Sequence, residues 1–226
     1  MQLKPIKDFQ KFVNVEVLPA ITDLGKLGDQ NRIHVQKLVY TNLVDRFDTM
    51  VDSTLLMNCR EESLVNEALK DLSGTISESD LIRLLINVDN LQEALDIKLK
   101  NSLRNSVLNQ RHSKKLQAMF RLLNPDINYW NLPRVNPATG DILEQIKPPN
   151  KQQPLSICGY ADWLYSRRNS IVHGGGTNRF LENDKNQLKK LFSCTAPNFI
   201  RIKLSSVENA VAFYLATTNI LIGKAS

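Results

Sequence analysis

A chain of 226 residues, 42% hydrophobic and 23% charged, can bury a sizeable core in one domain, and its composition is ordinary for a soluble globular protein. It has no apolar run of about 18 residues to cross a bilayer, and residues 1–12 lack the apolar core of a secretory signal, so a cytoplasmic protein without membrane contact is expected. Cys59, Cys158 and Cys194 are odd in number and far apart, which excludes a disulfide framework or a CxxC zinc site and predicts buried free thiols.

The first thirty residues, with Pro5 and Pro19, read as an N-terminal arm or an extra packing element ahead of a single helical domain, 31–226. From Val35 to Met57, apolar Val35, Leu38, Val39, Leu43, Phe47, Met50, Val51 and Leu55 recur every three or four residues, the stripe of an amphipathic helix with Asn31 or Asp29 as its cap. A helix over Glu62–Leu72 ends near Gly74, and Ser77 to Asp80 supply caps for a short helix over Leu81–Asn87. Asp89 or Asn90 caps a long basic helix through Leu91, Leu95, Leu99 and Leu103, which breaks near Asn109, resumes through Leu116, Met119, Phe120 and Leu123, and stops at Pro125. Five prolines between 126 and 158 make that stretch an irregular insertion, with a small hairpin of Leu132–Val135 and Ile142–Ile146. Helicity returns over Gly159–Val172, with Gly174 suited to the left-handed position after the helix end. A short helix over Lys185–Phe192 and a final one over Ser205–Gly223 follow, the last with Ser205 or Ser206 and Glu208 as a capping box. The fold class is therefore all-α.

The net charge of +6 is unevenly spread. Between Ile97 and Pro125 there is no Asp or Glu, while Lys98, Lys100, Arg104, Arg111, Lys114, Lys115 and Arg121 all fall there. Such a stretch is either a solvated helix face or a surface for a polyanion, because Lys and Arg displace the counterions condensed on phosphates.

The chemistry concentrates at Arg167, Arg168, Asn169 and His173, just before Gly174, Gly175 and Gly176. Only three histidines occur, and His34 and His112 lack comparable partners; His112 is expected to pack or to face solvent rather than touch a ligand. Asn169 and His173, four apart, share a helix face. Arg168 lies about 140° around an ideal helix from His173, so its long side chain swings toward the same pocket or reaches the histidine of a second copy. An imidazole titrates near neutrality and serves as acid or base, and a guanidinium offers a planar fork to phosphate oxygens. That pair suits RNA cleavage by transfer to the 2′-OH, which needs no metal; no acidic or His/Cys ligand cluster sits near, and no cofactor is expected. Arg167 either assists at a phosphate or is a surface residue, and Tyr165 either stacks on a base or packs.

The spacing Arg-Asn-x-x-x-His at a helix end running into glycine resembles the signature of the HEPN superfamily, whose active members are mostly metal-independent RNases. The resemblance implies a four- to five-helix bundle and a homodimer whose two motifs converge on one cleft. Arg168 and His173 would be catalytic there, with Asn169 and Arg167 at the substrate. It also implies an RNA partner and a toxin–antitoxin or anti-phage setting, with an antitoxin or defence protein alongside. The alternative is a non-catalytic HEPN module that dimerises or senses RNA or nucleotides for a separate effector. The size is more similar to the longer HEPN proteins of prokaryotic conflict systems than to the short toxins. Those toxins carry a modifiable tyrosine two residues after the histidine, where this chain has Gly175.

Overall fold

The computed structural model describes residues 1–71, 77–87, 91–126, 128–143, 152–175 and 177–223, and among these the fold is all-α. The chain opens with α1 (Lys4–Phe12), a π-helical stretch (Val13–Val17) and α2 (Leu18–Leu24) in direct succession. The widened π turn falls just ahead of Pro19, whose ring would clash with the Val15 carbonyl in a regular helix. Residues 1–30 are not a detached arm. Ile6, Phe9, Phe12, Val13 and Val17 are buried, and Phe9 meets Phe47 edge-on with ring centroids 5.4 Å apart.

The 29-residue α3 (Asp29–Met57) runs through the molecule for roughly 44 Å. Gly28 takes the cap position, which puts Asp29 and Asn31 inside the first turn rather than at the cap. The expected stripe holds at Leu43, Phe47, Met50, Val51 and Leu55, which are buried, and partly at Val35 and Val39; Leu38 is exposed, and Tyr40 and Val44 are buried in addition. Tyr40 can be buried because its hydroxyl finds an acceptor inside, the Leu164 carbonyl at 2.9 Å.

Next come α4 (Glu62–Asp71) and α5 (Glu78–Asn87); the Asp80 N–H donates to the Ser77 hydroxyl at 3.1 Å, the expected cap. The predicted end of α4 at Leu72 and Gly74, the Asp89 and Asn90 caps, and Ile146 of the hairpin lie outside the described residues. Helix α6 (Leu91–Leu103) ends in a π turn (Arg104–Leu108), and α7 (His112–Leu123) begins after the break at Asn109. Leu103 is buried but Leu95 is exposed, so the leucine ladder of α6 is only partly core. In the irregular segment the expected hairpin is reduced to single bridges, Val135 with Ile142 and Pro133 with Ser156.

Helix α8 (Ile157–His173) starts two residues earlier than expected, because the Ser156 hydroxyl caps it by accepting the Gly159 N–H at 2.9 Å. Helices α9 (Glu182–Phe192) and α10 (Leu204–Gly223) complete the fold. Ser205 and Ser206 lie within the first turn of α10. Ser206 Oγ reaches back to accept the Lys203 N–H at 3.3 Å, which replaces the expected Ser-x-x-Glu box. Helices α1, α3, α7, α8 and α10 share one core, in which Tyr214 of α10 stacks on Phe47 with centroids 4.1 Å apart. All three cysteines are free and buried, and no helix among the described residues is long and apolar enough to cross a membrane.

Candidate functional site at the end of helix α8

Helix α8 is anchored by charge before it reaches the surface. Asp162 is fully buried in a run of apolar residues. A carboxylate there requires a partner, and Arg111, at the start of α7, provides it. Arg111 Nε donates to Asp162 Oδ2 at 3.0 Å, Nη2 lies 2.9 Å from the same oxygen, and Nη1 stands 3.9 Å from Asp184 of α9. One guanidinium thereby joins α7, α8 and α9. Burial pushes both carboxyls above their ordinary range, with the Arg111 charge opposing it.

A second network stands beside the first. His112 Nδ1–H donates to Asp48 Oδ1 at 2.7 Å, and Lys115 Nζ reaches Asp48 at 2.6 Å and Asp52 at 2.8 Å. Burial alone would raise the Asp48 carboxyl, but the His112 hydrogen bond and the His112 and Lys115 charges outweigh it and hold it at about 2. The His112 ring stacks on Tyr165 of α8, centroids 5.0 Å apart and planes parallel within 1°. His112 is thus a buried structural residue, and the face of Tyr165 is taken by packing. The basic run from Lys98 to Arg121 is not one polyanion-binding surface either, since Arg111 and Lys115 serve as internal counter-ions.

The motif residues emerge beyond these anchors. Arg168 Nη2 donates to Asp45 Oδ2 at 3.1 Å and Nη1 to Asn169 Oδ1 at 3.0 Å. Its Nε sits 2.6 Å from Asp45 Oδ1, though without an aligned hydrogen bond. The guanidinium therefore faces α3 and not His173, and among the described residues no hydrogen bond or ion pair joins Arg168 to His173. Arg167 Nη2 donates to the Arg201 carbonyl at 2.9 Å while its guanidinium lies over the Tyr40 ring, 5.5 Å from the centroid.

His173 is exposed at the last residue of α8 and no hydrogen bond to it appears among the described residues. Its charged neighbour is Asp184, whose carboxyl it helps to hold down against the effect of burial. The left-handed backbone after the helix falls on Gly175 (φ 61°) rather than Gly174 (φ −76°). Ser170, fully buried, donates to the Ser166 carbonyl at 2.9 Å and accepts the Leu181 N–H at 3.0 Å, tying the loop after the motif back onto α8.

The structure brings Arg168, Asn169 and Tyr165 together near Asp45 and leaves His173 apart from them at the exposed helix end. Sequence reasoning missed four carboxylates, Asp45, Asp48, Asp162 and Asp184. Asp162 carried a signal, a lone acid between Ala161 and Trp163 on a helix face that must be buried. The arrangement offers an exposed imidazole for proton exchange, at the tip of a helix rooted in the core, five residues beyond a largely buried guanidinium already held by a carboxylate. No family model matches this sequence, and no match to it was found among curated proteins or solved structures.

Proposed function

We propose that the protein is a metal-independent endoribonuclease of the HEPN type, acting as a homodimer in a toxin–antitoxin or anti-phage setting. The observation that carries this reading is His173: an exposed imidazole ending a helix that is held in the core by the Arg111–Asp162 pair and by the His112 stack on Tyr165. Chemistry needs such a group free to exchange protons on a scaffold that does not move. In the proposed reaction the ribose 2′-oxygen attacks the adjacent phosphorus and gives up its proton. The bond from phosphorus to the 5′-oxygen breaks, and that oxygen takes a proton. His173 handles one of these transfers, Arg168 stabilises the charge gathering on the phosphorane, and Asn169 and Arg167 steady the strand. The products are a 2′,3′-cyclic phosphate and a 5′-hydroxyl.

One observation favours a second reading. Arg168 is already neutralised by Asp45, as suits a non-catalytic module that dimerises or senses RNA or nucleotides for a separate effector. Incubating purified protein with a broad RNA pool and excess EDTA, beside His173→Ala, separates the two. The nuclease reading expects cyclic-phosphate fragments that fall at least about 100-fold in the variant, the usual scale of lost acid–base catalysis. Folded wild-type protein that cuts no RNA would replace it with the module.

A further inference from the structure

Beside the motif lies a basic cleft that the site above does not use. The N-terminal half of α3, the loop after His173 and the segment leading into α10 enclose a cavity of about 450 Å³. Four cations line it, Arg32 and Lys37 from α3 and Arg201 and Lys203 from the segment before α10, and its lining holds no carboxylate among the described residues. The floor is apolar, with Ile200 and Ile202 buried. Asp29 pairs with Arg32 from the first turn of α3, but its side chain is 86% exposed, so that pair is screened by water and easily displaced.

The cleft is built onto the motif. Lys37 Nζ donates to Asn178 Oδ1 at 2.6 Å, and the Asn178 carbonyl accepts the Ile200 N–H at 2.7 Å. Arg167 of α8 holds the Arg201 carbonyl from behind. Asn178 follows His173 by five residues, a span of at most about 18 Å. Phe199 and Arg179 do not line the cavity but precede Ile200 and follow Asn178 in the chain; Phe199 is 57% exposed, with the Arg179 guanidinium 5.3 Å from its ring centroid. An exposed phenylalanine beside a groove of cations is the combination by which proteins hold single strands, phosphates in the groove and bases against aromatic faces.

We infer that this cleft binds the backbone of single-stranded RNA, with Phe199 and Arg179 stacking on a base at its mouth. The inference rests on the ribonuclease reading for its choice of RNA.

Fluorescence anisotropy of a labelled single-stranded RNA, in EDTA and on a His173→Ala background, tests it. Arg201→Gln with Lys203→Gln changes two exposed side chains and should leave the melting temperature unaltered. The expected results are binding at least tenfold weaker and a plot of log K against log salt flatter by about 1.4, the share of two phosphate contacts on a single strand. Phe199→Ala should weaken binding about tenfold with little change in that slope, and a duplex of the same sequence should compete poorly because its bases are stacked away. Variants that bind like the parent with an unchanged slope, or a duplex that competes equally, would overturn the inference. Wild-type protein that cleaves RNA while the cleft variants keep full affinity sinks the cleft alone. Binding through the cleft without any cleavage by wild type sinks the nuclease reading alone.

Discussion

Asp48→Asn removes the charge at the centre of the ionic cluster joining α3 to α7, and through Tyr165 to α8. The wild-type carboxyl has an ordinary value of 3.8 in the unfolded chain and is held at about 2 in the folded one. A group depressed in this way adds stability that is fully present above the unfolded value and disappears as pH falls through the folded one. The difference corresponds to roughly 2.4 kcal/mol at neutral pH, of which about 1 kcal/mol is gone by pH 3 and about 2 kcal/mol by pH 2. Asparagine keeps the shape but not the charge. It leaves Lys115 with Asp52 alone and weakens the acceptor for His112, which is fully buried on its side-chain atoms. Urea unfolding should therefore find Asp48→Asn about 2–4 kcal/mol less stable at pH 7. Repeated down to pH 3, the gap between variant and wild type should narrow by about 1 kcal/mol. Comparing the two proteins cancels the carboxylates outside this cluster; within it Asp52, which the Asp48 charge raises, shifts down in the variant. A gap that stays constant from pH 7 to pH 3 would refute the assignment of Asp48 as a paired, buried carboxylate.

Two further outcomes follow from the end of α8. Gly175→Ala meets no neighbour but must hold a left-handed backbone, so it should cost about 1 kcal/mol in a thermal melt, whereas Gly174→Ala drives its Cβ into the Ser170 carbonyl and should cost clearly more. Asp45→Asn releases the Arg168 fork from its carboxylate; the pair is partly exposed and should cost about 1 kcal/mol or less, while under the nuclease reading the freed guanidinium raises the rate of RNA cleavage, and a rate that instead falls would make Asp45 a positioning residue.

Helical periodicity carried the fold. The three-and-four spacing located α3, the Asn109 break and the last helix, because burying a stripe of side chains is what makes such helices stable. It missed single positions where a polar group finds a partner inside. Tyr40 is fully buried with its hydroxyl on the Leu164 carbonyl, whereas Leu38, an expected stripe residue, is exposed. Residue-type patterns also placed the motif on a helix that ends at His173, while the partner of its arginine stayed hidden. Asp45 lies 123 residues from Arg168, and nothing local to either residue announces the pair. The acid-free basic stretch misled for the same reason: Arg111 and Lys115 look like surface cations until their carboxylates on α8, α9 and α3 are in place.

The burial profile of α8 bears on where a reacting group must come from. Residues 157–164 are wholly buried, 165–169 are at most half open apart from buried Ser166, and Val172 and His173 are exposed. The helix is a post rooted in the core with its polar tip in solvent. The root is fixed by Arg111 and by the His112 stack, so the tip cannot rotate to bring Arg168 round to His173 without breaking buried pairs, at about 3–5 kcal/mol for such a pair. A substrate phosphate displacing the partly exposed Asp45 carboxylate from Arg168 breaks a pair nearer the surface, which costs less. A second copy presenting its own Arg168 to this His173 likewise costs less. Under the proposed reading the active unit is therefore one in which the strand or the partner moves and α8 does not, and catalysis depends on protein concentration if the partner supplies the arginine.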